Sequence, residues 1–153
     1  MREPLGSIAF ALAIAGSAAP AAASCRAAAP AVIAAGTATW IGACPQGMAE
    51  GVGTLRVTRR GRSPALFFGR MVKGRPFSGV MPTEDGDWRP AWRFDTALRL
   101  RNDPSGSRQS SIDTFRLAAA GAVEASRRYR RAGNGASASF YAEQSRRLLA
   151  ALD

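Results

Sequence analysis

The sequence predicts an α+β fold in which two antiparallel β-hairpins pack against a C-terminal α-helical hairpin. Three observations predict it. Between Thr37 and Val80, glycines punctuate short runs of β-branched and aromatic residues, the pattern of strands joined by tight turns. From Ser110 onward, apolar residues recur at three- and four-residue steps, the period of one helix face. The chain has 153 residues, 46% of them apolar and 21% charged, which fits one ordinary globular domain and not a disordered tail.

Residues 1–23 read as a signal peptide. Arg2 and the amino terminus supply a positive end, an apolar run follows from Leu5 to Ala15, and Ala21-Ala22-Ala23 offers an A-x-A cleavage site before Ser24. The apolar run is too short and too rich in alanine to span ~30 Å of hydrocarbon. Its removal deletes one arginine and one glutamate, so the remainder keeps the net charge of +10. The expected location is periplasmic or secreted.

Cys25 then opens two routes. A cysteine soon after an apolar run is a lipid-attachment site in some exported proteins, and a lipid anchor at Cys25 is the alternative location. The residues before it, Ala22-Ala23-Ser24, lack the leucine such sites usually carry. Lipidation would also leave Cys44 as an odd thiol in an oxidising compartment. A Cys25–Cys44 disulfide is the simpler expectation for an exported chain with two cysteines.

Residues 24–36 form an alanine-rich segment, expected to be loosely ordered, with Val32 and Ile33 starting a strand. Residues 37–81 are expected to hold the two hairpins, with strands in Thr37–Ile41, Thr54–Thr58 and Leu66–Phe68. Residues 82–109 read as an irregular linker containing one strand around Trp92–Leu100. Residues 110–153 form the helical hairpin. Ser110 with Asp113 gives an S-x-x-D start, and Phe115, Ala118, Ala119, Ala122, Val123 and Ser126 mark one face. Gly133-Asn134-Gly135 stops that helix. A second helix from about Ala136 to Leu152 carries Phe140, Tyr141, Leu148, Leu149 and Leu152 as its apolar face. Glu143 precedes Arg147 by four residues, the favourable order for a helical ion pair.

The glycine-rich segment repeats internally. Trp40-Ile41-Gly42 and Gly47 recur 27 residues later as Phe67-Phe68-Gly69 and Gly74. The first copy continues through Gly51 and Gly53, so its pattern is W-x-G-x-x-x-x-G-x-x-x-G-x-G. In the second copy Ser78 and Val80 stand at the last two glycine positions, with Gly79 one place off. The segment resembles the membrane occupation and recognition nexus (MORN) repeat, whose pattern is an aromatic followed by glycines at these four positions. The resemblance implies hairpins stacked side by side, with glycines at the turns and close approaches and the aromatic as cover. It also implies scaffold or adaptor roles, with membrane association often proposed. Cys44 lies inside the first copy, in keeping with a structural bridge.

Catalytic equipment is sparse. The chain has no histidine, no G-x-S-x-G or S-x-x-K motif and no phosphate-binding G-x-x-x-x-G-K-[ST], so imidazole bases and multi-Cys/His zinc sites are excluded. No cofactor or metal is expected. Glu84, Asp85 and Asp87 cluster around Gly86, but they are too few for a calcium loop, and Asp-Gly is first a turn signal. A hydrolase using one of these carboxylates is the remote reading. The chain is expected to be no enzyme.

The basic residues are the candidate site. Of the 21 basic residues all but Lys73 are arginine. Arg56, Arg59, Arg60 and Arg62 form one cluster. Arg127, Arg128, Arg130 and Arg131 form another, where cations also favour a helix C-terminus. Trp88-Arg89-Pro90-Ala91-Trp92-Arg93 interleaves rings and guanidinium groups in a way that suits stacking or an anionic surface. Inside a cell such a charge would point to nucleic acid; an export signal argues against it. The expected partner is an unidentified protein or an anionic envelope component, such as lipid head groups, lipopolysaccharide or an acidic polymer. The alternative is a purely structural or protein-interaction module with no specific anion site.

Overall fold

The computed structural model describes residues 24–153, and the expected signal peptide lies outside the described residues. The elements are β1 (Thr37–Ala43), β2 (Glu50–Thr58), β3 (Ala65–Val72), β4 (Arg75–Pro82), β5 (Trp88–Ala91), β6 (Arg93–Phe94), β7 (Leu100–Arg101), α1 (Arg108–Arg131) and α2 (Gly135–Ala150). The fold is α+β. Strands β1 to β5 form one antiparallel sheet in sequence order, and β6 and β7 form a separate two-stranded ribbon. The two expected hairpins, β1–β2 and β3–β4, are thus fused through β2–β3 pairing into one meander.

A row of glycines crosses that meander. Gly42 pairs with Gly53, Gly53 with Gly69, and Gly69 with Gly79. Their missing side chains make room for rings on one face. A Cβ on Gly42 would stand 2.5 Å from the Trp40 indole and one on Gly53 2.6 Å from it. A Cβ on Gly79 would stand 2.6 Å from the Phe67 ring. Each aromatic therefore covers the glycine two residues on and its cross-strand neighbour. Trp40 is pinned further by its indole N–H, which donates to the Ala43 carbonyl at 2.9 Å. The off-phase Gly79 is the counterpart of Gly53. It comes one place early because the register shift between Arg70 and Met71 leaves one residue of β4 unpaired, Phe77, whereas the shift between Gly42 and Ala43 leaves two residues of β2, Gly51 and Val52. Both hairpin connections contain a consecutive pair at positive φ, Gln46-Gly47 and Lys73-Gly74, and the second has the form a two-residue hairpin requires.

The glycine face is roofed by the alanine-rich segment and the β6–β7 ribbon. This corrects the expectation of a loose lead-in. Ile33 belongs to a 3-10 turn, Ala31–Ile33, and not to a strand, and it joins Trp40, Leu55, Val57, Phe67, Met71 and Met81 in the core. Arg26 N–H donates to the Gly47 carbonyl and Ala28 N–H to that of Gly74, at 2.9 and 2.8 Å, so the segment ties the two hairpin tips together. The disulfide Cys25–Cys44 closes the same junction, with Cα atoms 5.9 Å apart.

The expected linker, residues 82–109, contains β5, the fifth strand of the main sheet, and the β6–β7 ribbon in place of one strand at Trp92–Leu100. Pro90 is tolerated because β5 is an edge strand.

On the other face, α1 lies across Ile41, Leu66, Phe68 and Val80 with Ala118, Ala119, Ala122 and Ala125 buried beneath it. The small side chains and Gly121 allow close approach. A Cβ on Gly121 would stand 3.0 Å from Gly69 N and nearer still to the Gly53 carbonyl oxygen. Helix α1 starts at Arg108, two residues before the expected Ser110. Ser107 is the cap that accepts from Ser110 N–H, and Asp113 is held by the Gln109 side chain at 2.8 Å. Asn134 closes α1 by donating its N–H to the Tyr129 carbonyl, then caps α2 by accepting from Ser137 N–H at 3.0 Å.

Two expectations about the helix surfaces fail. Val123, Phe140 and Leu149 are 38%, 46% and 46% exposed, so they are not on the buried faces, where Tyr141, Gln144, Ser145 and Leu148 lie on α2. Glu143 pairs with Arg146 and not Arg147, because Arg147 is drawn 5.4 Å over the Trp88 ring.

Candidate functional site

The arginines of the first cluster go to different tasks. Arg59 follows β2 and donates twice to the Ser63 carbonyl, at 3.3 and 2.9 Å, which locks the β2–β3 loop. Arg62 reaches Glu84 at 3.2 Å across to the β4–β5 turn. Both partners are well exposed, so the pair contributes at most about 1 kcal/mol. Beside them runs an open groove of about 770 Å³ with Arg59, Arg62 and Arg89 on its walls, Glu84 and Asp85 opposite, and Met81 in its floor. Arg60 and Arg89 are exposed and make no side-chain hydrogen bond or ion pair among the described residues.

Arg56 stands apart from this groove, on the α1 side of β2, where its charge is felt by Tyr141. Tyr141 is 4% exposed and stacks on Tyr129 with ring centroids 5.4 Å apart. Burial pushes the Tyr141 hydroxyl up to about 12, Tyr129 adds to the rise, and Arg56 opposes it.

In the second cluster, Glu124 on α1 accepts from Arg128 at 2.6 Å and lies 3.8 Å from Arg127. Arg130 and Arg131, in the last turn of α1, are exposed and free of such partners among the described residues. They lie where the backbone carbonyls of a helix end favour positive charge.

The Trp88–Arg93 segment turns its stacking groups inward. The Arg93 guanidinium sits 4.1 Å from the Phe77 ring and 4.6 Å from the Trp92 ring, and donates to the Trp92 carbonyl at 2.6 Å. Trp88 packs edge-on to Phe68 at 6.3 Å and lies under Arg147. Arg93, Trp88 and Trp92 are therefore engaged within the chain, while Arg89 is not. Phe77, 37% exposed, is the partner that sequence reasoning missed; no spacing links it to Arg93.

The carboxylates Glu84, Asp85 and Asp87 lie in the β4–β5 turn, where Thr83 N–H donates to the Asp87 carbonyl and Gly86 N–H to that of Thr83. Among the described residues no group of three or more His, Cys, Asp or Glu stands ready to hold a metal ion. Asp95 and Asp103 are held below the usual carboxylate range, first of all by the backbone N–H groups of Arg99 and Ser105. Both are turn residues whose hydrogen bonds shape the β6–β7 ribbon and the approach to α1. Among the described residues no helix is long and apolar enough to cross a membrane.

Comparison of the chain with family models, with curated proteins and with solved structures finds no match.

Proposed function

We propose that this chain is an exported, non-enzymatic binding or scaffold module of the cell envelope, built on two MORN-type hairpins, which meets an anionic envelope component or partner protein through arginines. The observation that carries the reading is that the candidate segments keep exposed guanidinium groups, Arg60, Arg89, Arg130 and Arg131, with no hydrogen bond or ion pair among the described residues, on a chain of net charge +10. The Cys25–Cys44 bridge supports export to an oxidising compartment. It also occupies the sulfur a lipid anchor would need. The glycine row under Trp40 and Phe67 supports the repeat assignment, because it gives Gly42, Gly53 and Gly69 of that pattern a mechanical use as seats for the two rings.

The test is sedimentation with vesicles of anionic phospholipid, and with envelope fractions, across a salt series. Binding carried by arginines falls steeply as the Debye length shrinks from about 10 Å at 0.1 M to about 3 Å at 1 M. Binding indifferent to salt contradicts the proposal. A second reading, a structural module without an anion site, is favoured by the pairing of Arg62, Arg93, Arg127 and Arg128 within the chain. It predicts that changing Arg127, Arg128, Arg130 and Arg131 together to glutamate leaves partner capture intact.

A further inference from the structure

The two edges of the main sheet are unlike. At one edge β5 has four residues, Trp88–Ala91, and carries both Arg89 and Pro90. Shortness, charge and proline are the devices that keep a sheet edge from pairing with another chain. At the other edge β1 has seven residues, Thr-Ala-Thr-Trp-Ile-Gly-Ala, with no charge and no proline. Its inner side pairs with β2 along its whole length. Beyond those bonds, the only hydrogen bond to its backbone among the described residues is the one from the Trp40 indole to Ala43. Every second residue therefore turns a free N–H and C=O outward.

We propose that β1 is a dimerisation edge, on which a second copy of this chain adds its own β1 antiparallel across a two-fold axis. The full-length overlap centres the axis on Trp40, opposing Thr37 to the partner's Ala43 and Thr39 to the partner's Ile41. Directly opposed residues then share a face, so the Trp40 side of one sheet continues into that of the other.

Charge decides between a second copy and an acidic strand. On a molecule of +10 self-association needs a junction clear of like charge, and this one is clear. The charged residues paired to β1 are Arg56, beside Thr39, and Glu50, beside Ala43. In the dimer, Arg56 of the two copies is separated by three strand spacings, about 14 Å, beyond the screening length of about 8 Å at physiological salt. An acidic strand would meet only Arg56 on this edge, with Glu50 opposing it, and so gains little. An identical uncharged strand offers the same seven-residue ladder with no charge to desolvate.

The experiment is sedimentation velocity on the full oxidised protein from about 1 to about 200 µM, with amide exchange of β1 followed at both ends of the range. A monomer–dimer equilibrium with slower exchange of β1 amides at high concentration is expected. Thr39→Lys should weaken the dimer about tenfold or more, since Thr39 is exposed and its counterpart lies diagonally across the axis. An equimolar mixture of Thr39→Lys and Thr39→Glu should restore it. A monomer throughout, β1 exchange that ignores concentration, or β1 protection that appears only when a different protein is added overturns the proposal. The exchange measurement uses the unaltered chain, so it stands even if a variant misfolds.

Discussion

Replacing Gly121 with alanine should destabilise the protein by about 2–4 kcal/mol, although alanine is the better helix former by about 1 kcal/mol. The new methyl would face backbone on two strands, 3.0 Å from Gly69 N and nearer to the Gly53 oxygen, and no flexible side-chain end is there to yield. Relief requires α1 to lift by about 1 Å. A gap of that size forfeits a quarter to a half of each contact's dispersion energy between Ala118, Ala122 and Ala125 and the row Ile41, Phe68 and Val80. Overpacking of this kind costs about 1–3 kcal/mol. The lift also stretches the 3.2 Å bond from the fully buried Thr54 hydroxyl to the Gly121 carbonyl, and an orphaned buried hydroxyl costs about 1–3 kcal/mol. Urea unfolding followed by circular dichroism reads the change. Ala120→Gly, on the exposed side of the same helix, is the control and should cost only about 1 kcal/mol. A Gly121→Ala protein as stable as the parent, or more so, would refute the close-packed account of α1 on the glycine row.

Other outcomes follow from the same packing. Changing Cys25 and Cys44 together to serine should cost about 3 kcal/mol, the chain-entropy worth of a 19-residue separation, readable by thermal melting with and without reductant. Stability should fall by about 1–2 kcal/mol between pH 10 and 12: the unfolded chain releases the Tyr141 proton near its ordinary value while the folded chain holds it to about 12. Tyr141→Phe should remove that part of the alkaline loss. Glu124→Gln should lower stability by less than about 1 kcal/mol, because its partners are exposed arginines, while raising affinity for anionic vesicles by releasing Arg127 and Arg128.

The β-hairpins and the helical hairpin were legible in the sequence because each carries a local signal. Trp40, Phe67 and their glycines mark the strands, and the period of Phe115, Ala118 and Ala122 marks α1. What the sequence concealed is tertiary. Alanines 27–29 have no periodic pattern, and they become a roof only because Gly47 and Gly74 present carbonyls at both hairpin tips. Pro90 and the Asp85-Gly86-Asp87 turn hid β5, which needs only the free side of β4 to form. Gly79 looked out of phase because the one-residue register shift at Phe77 leaves no local mark in the sequence. The arginine clusters were visible as charge, but which arginine is engaged depends on where Glu84, Glu124, Ser63 and Phe77 fall in space. That leaves Arg60, Arg130 and Arg131 as the exposed remainder of two clusters that looked uniform, with Arg89 free in the Trp88–Arg93 segment and Arg56 set beside Tyr141.

The most direct measurement is the intact mass of the protein isolated with its thiols blocked at lysis. The account predicts a chain beginning at Ser24, two mass units below its reduced form, with no blocked cysteine and no added lipid. A full-length chain starting at Met1 and carrying two blocked thiols would contradict it.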